Sequence, residues 1–161
     1  MKTLLIPTDF KLQSLNCIPQ LAKQVYPHKL NVLMVHMLGI TDSISELLML
    51  SRRSAEYRHI PDAFYRACNE IRSNETNNVI DIHIEFFYGN TVAAFKNFLD
   101  ANDVHAIVNL QNYDYELLTE KSIDPAVLIY RGGKPIIDAD PTLPITTQVP
   151  ELKEELETQN V

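Results

Sequence analysis

The residues able to do chemistry are few and scattered. Asp9 ends a short apolar run, TLLIPT (residues 3–8), as a lone carboxylate. At such a place a carboxylate can act as a general base, bind a ligand or metal, or cap the backbone of the next turn. The five histidines His28, His36, His59, His83 and His105 show no HxH or HExxH spacing, so scattered non-ligand histidines and no metal site are expected. Cys17 and Cys68 lie far apart, each in an apolar helical pattern. They are read as buried, reduced thiols; a Cys17–His36 or Cys68–His59 nucleophile pair is the reactive alternative. Asn109, Gln111, Asn112, Tyr113 and Tyr115 follow a later apolar run and bring amides that can hydrogen-bond and rings that can stack.

These side chains must be held by elements that the hydrophobic pattern predicts. Five apolar runs have strand length: 3–8, 30–37 (LNVLMVHM), 79–87 (VIDIHIEFF), 104–110 (VHAIVNL) and 126–130 (AVLIY). Helical stripes lie between them. Leu15, Ile18, Leu21, Ala22 and Val25 make one, Ile60, Ala63, Phe64, Ala67, Cys68 and Ile71 a second. Val92, Phe95, Phe98 and Leu99 make a third, with Asn90 as its expected N-cap; a short fourth is predicted over 115–122, capped by Asp114. Strands alternating with helices imply βαβ units, an α/β fold and a parallel sheet. The first, fourth and fifth runs are nearly continuously apolar, as when both faces are covered. The third alternates, which suggests an edge. A doubly wound five-stranded parallel sheet in the order 3-2-1-4-5, with helices on both faces, satisfies these patterns.

Residues 1–131 are read as one α/β domain. It includes an extra helix over 43–57, where Ser43 and Glu46 have capping-box spacing. Residues 132–161 are read as an extended, proline-containing acidic tail. The 161 residues, 45% hydrophobic and 22% charged, are ordinary globular material. No apolar run approaches the ~20 residues of a membrane span, and the N-terminus lacks a signal-peptide pattern, so a cytoplasmic protein without membrane contact is expected. A net charge of −7 argues against a nucleic-acid partner.

In an open parallel sheet the ligand crevice opens at the topological switch point, here between the first and fourth strands. Thr8, Asp9 and Phe10, with His36 and Met37 from the second strand and Asn109, Gln111, Asn112 and Tyr113 after the fourth, are therefore the candidate ligand-binding residues.

The segments IPTDF, NVLMVHM, YGNTVAAFKNFLDANDVHAIVNL and DPAVLIY resemble the universal stress protein family over about residues 2–131. The resemblance implies that Asp9 matches the aspartate beside the adenine of bound ATP, although Phe10 stands where the family usually has a small residue. It matches Gly89 and Pro125 to the family's glycine before the third helix and proline before the fifth strand. It also implies a homodimer paired through strand 126–130. ATP-binding members carry G-x2-G-x9-G-[ST] after the fourth strand, where glycines let backbone N–H groups approach the phosphates. Here that stretch reads NLQNYDYELLTEKSIDP, without glycine; the chain has only four glycines in all. Response-regulator receivers need further acidic groups and a lysine where Phe10, Tyr88 and Arg131 stand. The expectation is a universal-stress-like regulatory or interaction protein, non-catalytic, with a degenerate ATP site, no cofactor and an unknown protein partner. Binding of AMP, ATP or another small metabolite at the Asp9 crevice is the alternative, and a hydrolase using Asp9 and His36 ranks last. Tyr113 and Tyr115 are expected to plug the vacated crevice.

Overall fold

The computed structural model describes residues 1–39, 57–74 and 78–142. Its five strands are β1 (Lys2–Pro7), β2 (Leu30–Leu38), β3 (Val79–Tyr88), β4 (Ala106–Leu110) and β5 (Ile136–Ala139). They form one sheet in the order β3-β2-β1-β4-β5, and every pairing is parallel. The helices are α1 (Ile18–Val25), α2 (Asp62–Ser73), α3 (Val92–Ala101) and α4 (Ala126–Ile129).

Strand alternation explains how the core divides. Leu4 and Ile6 of β1, with Val32 and Met34 of β2, pack with Ile18, Leu21, Phe64 and Cys68 from α1 and α2. Leu5, Leu33, Val35 and Met37 turn to the opposite face and meet Phe95, Leu99 and Leu128 from α3 and α4. Each such side chain, once fully buried, contributes about 1.5–3 kcal/mol. The second strand is thus apolar on both faces because helices cover both. β3 is the edge strand the alternation predicted. Its pairing with β2 shifts register between Leu30 and Asn31, so Asp81 rather than Ile80 pairs with Asn31. That bulge turns Ile80 outward, 51% exposed.

The predicted strand at 126–130 is a helix. Pro125 stands at its N-cap and the Asp124 carboxylate accepts a hydrogen bond from Ala126 N at 3.0 Å. Leu128 and Ile129 turn inward while Val127 and Tyr130 face solvent. A run of five apolar residues fits either element, and the cap decides it. The fifth strand lies beyond, at Ile136–Ala139, inside the stretch read as tail, and the sheet runs on to Ala139. Gly132 permits this path: a Cβ there would sit 2.8 Å from Leu99 Cδ1, and Gly133 takes φ +80°. A homodimer paired through 126–130 is therefore not available as a strand pairing; the open sheet edge on that side belongs to β5.

No helix forms over 115–122; the residues lack repeating structure because their polar groups bond to other parts of the chain, as set out below. The N-cap of α3 is Thr91, whose hydroxyl accepts from Ala94 N at 3.1 Å, not Asn90. The extra helix over 43–57, apart from Tyr57, and the acidic stretch 151–158 lie outside the described residues. No helix among the described residues is long and apolar enough to cross a membrane.

Candidate ligand crevice

The chain leaves β1 through a turn built by its own polar side chains. Phe10 N donates to Thr8 Oγ1 at 2.9 Å, and the Thr8 and Ser14 hydroxyls are 2.8 Å apart. Lys11 N donates to Asp9 Oδ1 at 3.2 Å. Such side-chain turns are what Thr and Asp offer when a strand ends. Phe10 pays a backbone cost here, since its φ is +65° and a left-handed conformation disfavours a bulky residue by about 1–2 kcal/mol. Packing offsets it. The ring is buried among Phe64, Phe86 and His36, at centroid distances of 5.4, 5.5 and 5.6 Å.

After β4, residues 113–123 cross the C-terminal ends of β1 and β2 like a strap. Tyr113 donates its phenolic proton to Asp9 Oδ1, and Glu116 N donates to Asp9 Oδ2 at 2.8 Å. The Lys11 ammonium lies 3.4 Å from the same carboxylate, whose side chain is 0% exposed. Tyr115 donates to Thr8 O at 2.9 Å and stacks on His36, with ring planes 8° apart. His36 Nδ1 lies 2.8 Å from Thr8 O and 3.0 Å from the Tyr115 hydroxyl. Thr8 O can only accept, which places an imidazole proton on Nδ1, and Nε2 lies 2.7 Å from the Ser122 hydroxyl. The strap then docks on the end of β2. Gly39 N donates to Lys121 O at 2.7 Å and Ile123 N to Met37 O at 2.9 Å.

Burial, then the hydrogen bond to Asp9 and its charge, raises the Tyr113 pKa above the ordinary phenol range. Burial, then the charges of Asp9 and Asp124, does the same for Tyr115. Both rings stay neutral and keep their donor protons. Burial likewise pushes the Cys17 thiol up to about 12 and Cys68 up to about 11, so neither is a ready thiolate.

A polyphosphate cradle needs backbone N–H groups free to face the ligand. Five of the strap's amides are bonded within the chain. The amides of Glu116, Thr119 and Lys121 go to Asp9 Oδ2, Ser122 Oγ and Thr119 Oγ1. Those of Ser122 and Ile123 go to Thr119 O and Met37 O.

The structure brings Thr8, Asp9, His36 and Tyr113 together, but Thr8, Asp9, His36 and Met37 are buried. Phe10 belongs to the core rather than to a ligand surface. Gln111 and Asn112 are exposed and turn toward the β5 side, where Gln111 N donates to Ala139 O at 2.8 Å and Asn112 Nδ2 to Asp140 Oδ2 at 2.7 Å. Asn109 and Tyr113 do line an open cleft of ≈ 340 Å³ between β1, β4 and α4, floored by Pro7, Val108, Leu110 and Ile129. Ser122, the Glu116 amide and Ile123 complete the strap without having been among the candidate residues. Their signal was weak, since backbone donors carry no sequence signature and the Ser122 contact spans 86 positions.

No protein-family profile and no curated protein matches the chain. Solved structures do. The universal stress protein UspA from Lactobacillus plantarum is 14% identical, with 85% of this chain and 96% of that one covered at a TM-score of 0.50. A universal stress protein from Archaeoglobus fulgidus is 15% identical, covering 86% and 93% at 0.46. A universal stress protein family protein from Arabidopsis thaliana, solved with AMP bound, is 10% identical, covering 87% and 92% at 0.45. By its strand order and its likeness to the Lactobacillus plantarum structure, this chain has the fold of the universal stress proteins.

Proposed function

We propose that this chain is a non-catalytic regulatory or interaction protein on the universal stress fold, with its nucleotide site closed by its own strap. The observation that carries this is Asp9: both carboxylate oxygens are taken up by donors from the chain, and no part of the side chain meets solvent. A nucleotide would have to replace several charge-assisted hydrogen bonds, each contributing about 1.5–3 kcal/mol.

The chemistry around His36 supports the non-catalytic part. Ser122 and His36 resemble a nucleophile and base, but the hydroxyl also accepts from Thr119 N at 3.1 Å. The adjacent amides of Ser122 and Ile123 are already bonded, so they cannot stabilise a developing oxyanion. The chain would then act through its surface, on a protein partner and as a homodimer along the free edge of β5. A nucleotide panel in thermal unfolding and a light-scattering mass test the reading. The expected results are no stabilisation by ATP or AMP and a mass of twice 18.4 kDa at micromolar concentration. Saturable stabilisation by ATP would overturn the closed site, and a monomeric mass the dimer.

A further inference from the structure

The sheet has two edges, and they are not alike. β5 is an edge of four residues, whereas β3 is an edge of ten, long against the usual five or six. Gly89 N donates to Leu38 O at 2.9 Å, and the register from Asp81 to Tyr88 is unbroken. The odd-numbered residues of β3 therefore turn their backbone groups to β2, and the even-numbered ones turn theirs outward. A row of outward N–H and C=O groups is a template for a further strand. The segment that carries it, VIDIHIEFF, is rich in the β-branched and aromatic residues that such pairing favours.

Two of the outward groups are taken by side chains. Ile84 O accepts from the Tyr57 hydroxyl at 3.4 Å, and Ile82 N donates to Asp81 Oδ1 at 2.8 Å. The second contact is held from both faces of the sheet. Arg72 Nη1 donates to the same Oδ1 at 3.0 Å, and Arg72 is itself oriented by Nη2 donating to Asn69 Oδ1. His83 Nε2 lies 3.3 Å from Asp81 Oδ2. Arg72 comes from α2, which packs on the face of Ile82 and Phe86, while strand alternation puts His83 on the opposite face. A carboxylate reached from both faces lies across the open edge. As ion pairs these contacts add little to folding, since Arg72 is 43%, Asp81 36% and His83 53% exposed. What they have in common is the edge they cross.

We propose that Asp81, clamped by Arg72 and His83, closes the β3 edge to a second copy of this chain, so that the sheet extends only through β5. Ile80, 51% exposed beside Asp81, is the apolar contact such a copy would bury. A dimer joined along β5 has a β3 strand at each end, and if those strands were open, further copies would add at both. That consequence rests on the β5 dimer proposed above; the closure of β3 does not.

Light scattering of the full chain over a range of micromolar concentrations tests this with Asp81→Ala. The variant should form species of about twice the parent's mass or more, growing with concentration. Adding Ile80→Lys to D81A should restore the parent's mass, because a charge again stands on the edge. The urea midpoint and circular dichroism spectrum of D81A should match the parent's, which shows that folded chains associate. Amide exchange in the parent gives a readout that needs no variant. Ile82 N–H should exchange about tenfold more slowly than Ile84 N–H, which faces outward without a bonded partner among the described residues. Equal exchange at the two amides, D81A at the parent's mass at every concentration, or association that I80K leaves in place would each overturn the proposal. A monomeric parent with an associating D81A would overturn only the β5 dimer.

Discussion

Removing the Asp9 carboxylate separates a structural role from a ligand-binding one. A carboxylate held ready for a ligand adds little to folding, so Asp9→Ala would then leave stability unchanged or raise it. The geometry here leads to the opposite. The substitution strips the Tyr113 hydroxyl, Glu116 N and Lys11 N of their acceptor. A hydrogen bond to a charged group contributes about 1.5–3 kcal/mol, and an orphaned buried donor costs about 1–3 kcal/mol. Tyr113 is half-buried and Lys11 partly exposed, so water satisfies some of what is lost. The Lys11 ammonium, 38% exposed, adds under 1 kcal/mol after screening. The net loss should be about 3 kcal/mol, a large share of the 5–15 kcal/mol typical of a domain. At about 2–4 °C per kcal/mol, Tm falls by roughly 6–12 °C. Urea unfolding followed by circular dichroism, with a thermal scan, measures both. A D9A protein within about 0.5 kcal/mol of the parent, the range of ordinary surface substitutions, would refute the reasoning.

Ser122→Ala should destabilise by about 1–2 kcal/mol, because the hydrogen bonds that the Ser122 hydroxyl makes with His36 Nε2 and Thr119 N are removed; an unchanged urea midpoint would count against the strap being docked there. Gly132→Ala should cost about 1–3 kcal/mol in the same assay, since the added carbon meets Leu99 Cδ1 at 2.8 Å in a filled core. The buried thiols give a pH signature. Their folded pKa values, about 12 for Cys17 and about 11 for Cys68, lie above the 9.0 of a free thiol. The folded chain therefore binds more protons between those limits, and stability is complete below pH 9 and falls as pH rises toward 12. Cys17→Ala should flatten that fall relative to the parent in urea midpoints taken from pH 8 to 11; an identical slope would contradict the assignment.

The sheet was legible because burial on two faces writes itself into whole runs. The runs of β1 and β4 are nearly continuously apolar, that of β3 alternates, and the order was read from that difference. The fifth strand was misplaced because AVLIY is too short for its period to decide between strand and helix. The deciding feature, Asp124 and Pro125 at its start, is a cap rather than a pattern. The site was half legible. Chain order at the strand ends placed Asp9, His36 and Tyr113 in one region, where the structure also has them, and the lack of glycine after β4 is the reason for expecting no phosphate cradle. The burial of the Phe10 ring was not legible, because position in the chain does not reveal a φ of +65°, which folds the ring into the core. The strap's docking on β2 is made by Gly39, Lys121 and Ile123 through backbone groups, which every sequence has.

The claim that the strap seals Asp9 can be read at one amide. Glu116 N–H donates to Asp9 Oδ2 at 2.8 Å, in a loop with no helix or strand to protect it otherwise. Native-state hydrogen exchange followed by NMR should find it slowed by roughly ten- to a hundredfold against an open loop, since opening must break the charge-assisted bond. That protection should disappear in Asp9→Ala. Exchange of the Glu116 amide at the rate of an unstructured peptide in the parent protein would contradict the seal, and with it the closed site.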